Sequence, residues 1–170
     1  MTFRALGQAA GLSHNAPYKI FSSRGALLSA VAAKWFGELA ASAATVRHAA
    51  LPPIKKLTTL IDQMLEFSRR YPARYALLFN NAETAAAGGD VKARALETFA
   101  HFSAIVAECQ AAGDLPDTPA ETLASLIFAS VQGLLSIERN GALHPEKGLT
   151  SVEASVTLLL ELLSPKTRPD

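Results

Sequence analysis

The chain has 170 residues, of which 49% are hydrophobic, and a formal net charge of +1. A chain of this length and apolar content can bury a substantial core, which excludes an intrinsically disordered protein. The single cysteine, Cys109, excludes an internal disulfide and a cysteine-rich zinc site. No apolar run reaches the roughly 18 residues of a membrane-spanning helix, and the N-terminus lacks a secretion signal. We therefore expect a cytoplasmic protein without a membrane partner.

Charge is unevenly distributed along the chain. The only ionised side chains before Glu38 are four basic ones, which give residues 1–37 a net charge of +4: Arg4, Lys19, Arg24 and Lys34. The rest of the chain has 12 basic and 15 acidic side chains, a net charge of −3. A polyanion is attracted to the first segment, because Lys and Arg next to phosphates gain from counterion release. Charge alone leaves DNA, a membrane surface and an acidic protein open as partners.

Alanine and leucine dominate, and no run alternates in the way a strand requires, so the predicted fold class is all-α. Thr2 caps a predicted helix over 3–10, which Gly11 ends, and Ser13 caps a second helix over 14–21. Ser22 or Ser23 caps a third, long helix that ends near residue 49 and links the basic head to the remainder of the chain.

Further helices follow after Pro52 and Pro53. The pattern predicts helices over 54–71 and 72–79, a loop over 80–89, and a helix over 90–112 that Gly113 closes. Thr118 and Glu121 predict a capping box at the start of a helix that runs to residues 140–141, and a last helix covers 151–163.

The last two helices are apolar on more than one side. The helix after Thr118 carries small residues that let another helix approach closely: Ser125, Ala129, Ser130 and Gly133. We expect a second copy of the chain to cover this surface, giving a homodimer through the last two helices. The alternative is that both faces are buried within one chain.

Seven spaced residues near the N-terminus form a motif: Gly11, Leu12, Ser13, Tyr18, Phe21, Arg24 and Leu27. With the helices around it, this motif resembles the DNA-binding segment of the TetR/AcrR family of transcriptional regulators, over residues 2 to about 36. The remaining helices resemble that family's ligand-binding and dimerisation domain, particularly the branch with His-Asn-Ala-Pro-Tyr in the recognition helix. Where that branch often has Trp/Val-x-His-Gly, this chain has Val131-Gln132-Gly133 without the histidine.

The resemblance implies a helix-turn-helix head in residues 1–36, joined by the long helix to a helical-bundle ligand-binding and dimerisation domain in residues 37–170. Family members begin with a further helix, whereas Met1 lies at the start of the second one, so we expect the head to lack its first helix. Each large apolar side chain that loses this cover costs roughly 1.5–3 kcal/mol when fully re-exposed. Three explanations stay open: a start placed too late in the gene, a loss of tight DNA binding by the protein, and cover of the exposed side chains by another surface.

The resemblance also implies that the helix after Ser13 enters the major groove of DNA. The residues it assigns to DNA are Thr2, Ser13, His14, Asn15, Tyr18, Lys19 and Arg24. Asn15 can pair with adenine and His14 with guanine or a phosphate, while Thr2, Tyr18, Lys19 and Arg24 contact the backbone and Ser13 faces outward. The alternatives are a packing role for Tyr18 and a solvated surface charge for Lys19 and Arg24.

The middle helices supply many apolar side chains and few polar ones, as small-molecule sites do. We expect a pocket for a small apolar effector lined by Trp35, Met64, Phe67, Tyr75, Phe79, Phe99, Phe102, Phe128 and Gln132. For each aromatic residue the alternative is a place in the ordinary core.

No glycine-rich phosphate loop, nucleophile motif or cluster of metal ligands is present in the sequence, so we expect neither an enzyme nor a bound metal or cofactor. Glu97 and His101 lie four residues apart but lack further ligands. The sequence therefore predicts a homodimeric, ligand-responsive transcriptional regulator, a repressor that releases a palindromic operator when its effector binds. The alternative is a helical dimer that binds such an effector but has lost DNA binding.

Overall fold

The computed structural model describes Gly11 and residues 19–165. These residues form seven α-helices, one 3-10 helix and no strand, which confirms the predicted all-α class. The helices are α1 (Arg24–His48), α2 (Pro53–Arg70), α3 (Pro72–Phe79), α4 (Ala82–Ala85), α5 (Gly89–Ala111), α6 (Ala120–Arg139), the 3-10 helix Pro145–Lys147, and α7 (Val152–Leu163). Lys19 and Ile20 are also helical.

Two of the predicted helix starts are confirmed at the atomic level. The Ser23 hydroxyl oxygen accepts a hydrogen bond of 3.0 Å from the backbone N–H of Ala26, at the start of α1. The Ser151 hydroxyl oxygen accepts one of 3.0 Å from the backbone N–H of Ala154, at the start of α7. Each bond satisfies an amide in the first helical turn, which has no partner within the helix. The predicted helices over 3–10 and 14–21 lie outside the described residues, apart from the helical Lys19 and Ile20.

The capping box predicted at Thr118 and Glu121 is wrong. Pro119 is the N-cap of α6, and no side chain caps this helix. The Gln110 side-chain amide, from α5, instead donates to the carbonyl oxygens of Pro116 at 2.7 Å and Thr118 at 2.8 Å. The Thr118 hydroxyl accepts from the same amide at 3.3 Å and donates to the Pro116 carbonyl oxygen at 3.5 Å, so it is engaged within the turn and does not cap the helix.

The loop predicted over 80–89 is also partly wrong, because it contains the one-turn helix α4. Asn81 caps this turn, and its side-chain oxygen accepts a hydrogen bond of 2.9 Å from the backbone N–H of Thr84. Thr84 is buried, which fixes the turn against its surroundings.

The chain divides into two compact units. The first contains the described residues up to Ala41 together with Pro72–Thr98, and the second contains Ser42–Tyr71 together with the described residues from Phe99 onward. Buried side chains of the first unit include Ala32, Phe36, Ala40, Tyr75, Leu78 and Val91. Those of the second include Leu57, Ile61, Leu65, Ile105, Val106, Cys109, Leu123, Ile127, Val131, Leu135, Val152 and Val156. The functional boundary near residue 36 stays a prediction.

Two ion-pair networks connect helices of the second unit. Arg69 on α2 donates to Glu138 on α6 at 2.6 Å and to Glu153 on α7 at 2.5 Å. Glu108 on α5 accepts from Arg47 at 3.2 Å and from Lys56 at 3.0 Å. These networks therefore link α2 with α6 and α7, and link α5 with α1 and α2.

Gly37 lies in the middle of α1, within the first unit. A methyl group at this position would have the Arg94 side chain as its nearest neighbour, at 3.8 Å, which is an ordinary van der Waals distance. Close packing therefore does not require a glycine here.

Candidate functional site

Most of the residues predicted to contact DNA lie outside the described part of the chain. These are Thr2, Ser13, His14, Asn15 and Tyr18. Lys19 is helical and exposed, and Arg24 is the exposed first residue of α1. Both basic side chains are therefore accessible, and their assignment to phosphates stays a prediction.

Arg24 has an acidic neighbour that sequence reasoning missed. Its Nη1 atom lies 4.0 Å from Oε1 of Glu83 on α4, and both side chains belong to the first unit. The Arg24 side chain is 50% exposed and that of Glu83 is 63% exposed. Glu83 is the one ionisable residue of the segment 80–89. This was the only feature of the sequence that could have singled it out as a partner for a basic residue.

Three of the predicted effector residues belong to the first unit. Tyr75 is buried and its ring centre lies 4.9 Å from that of Phe79. Phe36, which the sequence analysis did not select, packs edge-on against Phe79 at 5.8 Å. Trp35 is half-buried and has the guanidinium group of Arg74 over its ring at 3.8 Å. The first unit therefore contains an aromatic cluster of Phe36, Tyr75 and Phe79, and a stacked cation on Trp35.

Three further predicted effector residues meet in the second unit. The rings of Phe99 and Phe102 on α5 lie 6.0 Å and 6.3 Å from that of Phe128 on α6, both nearly edge-on. Such edge-to-face contacts are favourable beyond the area they bury. Phe102 is 8% exposed, whereas Phe99 and Phe128 are half-buried. The rings of Phe99 and Phe128 are therefore partly accessible, whereas the neighbouring ring of Phe102 belongs to the core.

The remaining predicted effector residues line α2 and α6 of the second unit. The Gln132 side-chain nitrogen lies 3.9 Å from the Met64 sulfur, and all of Met64, Phe67 and Gln132 are half-buried. The ring of Phe67 contacts that of Tyr71 at 5.8 Å.

Two buried polar atoms of the second unit have no hydrogen-bond partner among the described residues. They are Oγ of Ser68, on α2, and Nδ1 of His101, on α5. Ser68 lies one helical turn after Met64. An unsatisfied buried polar group costs free energy, so such groups call for an explanation in a native fold.

Charged groups dominate an open cleft elsewhere on the second unit. Its volume is about 530 Å³, and its lining is Asp62, Leu65, Glu66, Arg69, Arg70 and Glu153. The hydrogen bond from Arg69 lowers the pKa of Glu153. This polar cleft does not coincide with the predicted apolar effector residues.

No group of three His, Cys, Asp or Glu residues that could hold a metal ion occurs in the part of the chain that the structure describes. Glu97 forms an ion pair with Arg94 at 3.3 Å. Burial, followed by the charges of Asp114 and Glu108, raises the pKa of the Cys109 thiol to about 12. This thiol is therefore protonated at neutral pH.

A family comparison identifies the C-terminal part of the chain, which is called the body below. Residues 57–163, which span α2 to α7, match the family described as "Tetracyclin repressor-like, C-terminal domain". The chain belongs to the TetR-like family. A solved structure of a protein with unknown function from Rhodococcus sp. RHA1 is similar to it, with a TM-score of 0.76 and 28% identity over 96% of this chain and 85% of that chain. No curated protein matches the chain.

The TetR-like body has an exposed apolar surface on its last two α-helices, which pack against each other. Leu126 on α6 is 62% exposed, and Leu158 and Leu162 on α7 are 54% and 70% exposed. Small exposed residues lie beside them on α6: Ser125, Ala129, Ser130 and Gly133. By length and composition alone, α6 could cross a membrane, since an 18-residue stretch of it has a mean hydropathy of 1.4. Of this stretch, 28% is buried within the chain.

Proposed function

We propose that this TetR-like protein is a ligand-responsive transcriptional repressor of the cytoplasm that binds a palindromic operator as a homodimer. The observation that carries the proposal is the match of residues 57–163 to a tetracycline-repressor-like domain. The head motif and the net charge of +4 in residues 1–37 support DNA as the partner of the N-terminal segment.

The exposed face of α6 and α7 supports a homodimer. Single exposed leucines are common on protein surfaces, but Leu126, Leu158 and Leu162 lie on two helices that pack together. The Ser130 hydroxyl donates to the carbonyl oxygen of Leu126 at 2.8 Å, so it stays hydrogen-bonded when a second copy covers it. Small residues on α6 allow the partner helix to approach closely. A dimer places two heads on one duplex, in half-sites one helical turn apart.

The aromatic clusters support a small apolar effector. Half-buried Phe99, Phe128 and Met64 offer apolar contact, and the Gln132 amide supplies a polar anchor. An effector releases the operator only when it binds more tightly to the conformation with misplaced heads, because equal affinity for both conformations shifts no equilibrium. Nothing in this scheme requires catalysis, a metal or a cofactor.

The experiment is a salt titration of DNA binding by the full chain. A duplex enriched from a randomised library serves as the operator, and affinity is measured by fluorescence anisotropy between low and moderate salt. We expect affinity to fall steeply with salt. Lys19→Ala should weaken binding and reduce the log–log slope by about 1 per protomer. The matched control is Lys55→Ala, an exposed lysine on α2, which should leave both unchanged.

A salt-independent affinity contradicts phosphate contact. If the protein forms dimers but selects no duplex from the library, this result contradicts the proposal of a repressor. It supports the alternative of a dimer that binds an effector but not DNA.

A further inference from the structure

We infer that Glu83 is an autoinhibitory residue that competes with the operator phosphate for Arg24. The inference rests on the proposed function, in which Arg24 contacts DNA. Its basis is the 4.0 Å separation between Arg24 Nη1 and Glu83 Oε1. A carboxylate and a phosphate oxygen are alternative acceptors for the same guanidinium donors, so Arg24 must leave Glu83 in order to bind the backbone of DNA.

The position of Arg24 is unfavourable for the helix that carries it. Arg24 is the first residue of α1, and no acidic residue lies in the first turn of this helix. Cations are destabilised at helix N-termini, because the backbone N–H groups there carry partial positive charge. Helix stability therefore does not account for an arginine at this position, whereas binding of an anion does. Glu83 supplies such an anion from within the chain.

The fold of α4 places Glu83 in a defined position. Asn81 caps the turn through its 2.9 Å hydrogen bond from Thr84, and the backbone N–H of Ala86 donates to the carbonyl oxygen of Ala82 at 2.9 Å. Thr84 is 7% exposed, so the turn is anchored on the side next to Glu83. Alanine and glycine occupy the rest of the segment up to Gly89, and Glu83 is its only charged side chain. The carboxylate is therefore held by an ordered turn, and no other charged side chain of this segment competes with it for Arg24.

The expected size of the effect follows from exposure. Both side chains are at least half exposed, and exposed ion pairs change an equilibrium by up to about fivefold. A homodimer contains two such pairs, so removal of both acidic partners tightens operator binding by up to about 25-fold. Glu83 therefore tunes affinity and does not abolish binding.

The experiment compares operator affinities of the full chain and four variants on the library-selected duplex: Glu83→Gln, Glu38→Gln, Arg24→Gln and the Arg24→Gln/Glu83→Gln double variant. Glu83→Gln should tighten binding by at least about threefold. The matched control is Glu38→Gln, which removes another exposed carboxylate of the first unit, ion-paired with Lys34 at 3.8 Å, and should change affinity by less than about twofold. In an Arg24→Gln background, Glu83→Gln should have no effect beyond that of the control.

Equal gains from Glu83→Gln and Glu38→Gln overturn the inference, because long-range repulsion then accounts for both. A gain from Glu83→Gln that persists without Arg24 also overturns it. Both outcomes leave the proposed function intact. If no protein in the set binds any duplex, the proposed function fails and the inference fails with it. Circular dichroism spectra of the five proteins check that the folds are unchanged.

Discussion

The guanidinium carbon of Arg74 on α3 lies 3.8 Å from the ring centre of Trp35 on α1. The second cation near this ring is less close, since Lys34 Nζ lies 5.7 Å from the centre. Trp35 is the only tryptophan of the chain, so its fluorescence reports directly on this contact.

Arg74→Ala should shift the Trp35 emission to longer wavelength and destabilise the fold by about 0.5–1 kcal/mol, because the substitution exposes one ring face to water and removes a cation–π contact. Fluorescence spectra and urea unfolding measure the two effects. Lys34→Ala, the control, should shift the emission less. Equal shifts in the two variants contradict a dominant role for Arg74.

The fold should lose stability in acid through Glu108. Burial raises the pKa of this carboxyl, but hydrogen bonds from Lys56 and Arg47 lower it more, so the pKa lies below its usual value. A carboxyl whose pKa is lower in the folded than in the unfolded state stabilises the fold above the unfolded pKa, about 4.3, and this contribution disappears as the pH falls through the folded pKa.

Urea unfolding between pH 7 and pH 3 tests this dependence. Wild-type protein should exceed Glu108→Gln in stability at pH 7, and the difference should shrink below about pH 4. Glu146→Gln, which alters an exposed carboxylate of the 3-10 helix, is the control for the loss of one negative charge. A difference between wild type and Glu108→Gln that is constant with pH would falsify the assignment.

Removal of the Ser68 hydroxyl should stabilise the protein. Ser68 is 1% exposed, and its oxygen has no partner among the described residues. Alanine at this position removes the cost of an unsatisfied buried polar atom, about 1 kcal/mol, and should raise the Tm by about 2–4 °C. Ser155→Ala is the comparison, because it brings the same gain in helix propensity but removes a hydroxyl that donates to the Ser151 carbonyl at 2.9 Å, so it should raise the Tm less than Ser68→Ala. A lower Tm for Ser68→Ala would show that the hydroxyl has a partner in solution.

A charge in the exposed face of α6 and α7 should dissociate the dimer. Leu162 is 70% exposed on α7, and an arginine there would bury an unpaired charge in the proposed interface. Sedimentation analysis should show a dimer for the wild type and a monomer for Leu162→Arg at micromolar concentration. Leu96→Arg is the matched control, since Leu96 is 58% exposed on α5, outside this face, and should stay dimeric. A monomeric wild type refutes the proposed assembly.

Features that depend on neighbours in sequence could be predicted from the sequence. The predicted cap at Ser23 binds an amide three residues further on, the last helix starts within one residue of its predicted start at 151, and α3 has the predicted bounds, 72–79. The Thr118 prediction failed because the N-cap lies one residue later, at Pro119, and the Thr118 hydroxyl accepts from Gln110 of another helix. The missed α4 had a local signal, since asparagine is a strong N-cap residue, but the alanines and glycines after Asn81 concealed it.

Site contacts between distant residues could not be predicted in this way. Arg24 and Glu83 are far apart in sequence and lie on different helices, so no helical spacing predicts their contact. Their pairing follows from the packing of the first unit. The same holds for Arg69, which joins Glu138 and Glu153 from two other helices. Hydrophobic spacing did select aromatic residues that meet, such as Phe99 and Phe128, because it marks the inner faces of helices.

Gly37 makes α1 easiest to bend at its centre. A glycine inside a helix raises the free energy of the helical state by about 1 kcal/mol relative to alanine, and the surroundings have room for the alanine methyl group. The helix continues from the first unit into the second, with the boundary after Ala41, four residues beyond this glycine. Gly37→Ala would therefore stiffen α1 close to one of the points at which the chain leaves the first unit.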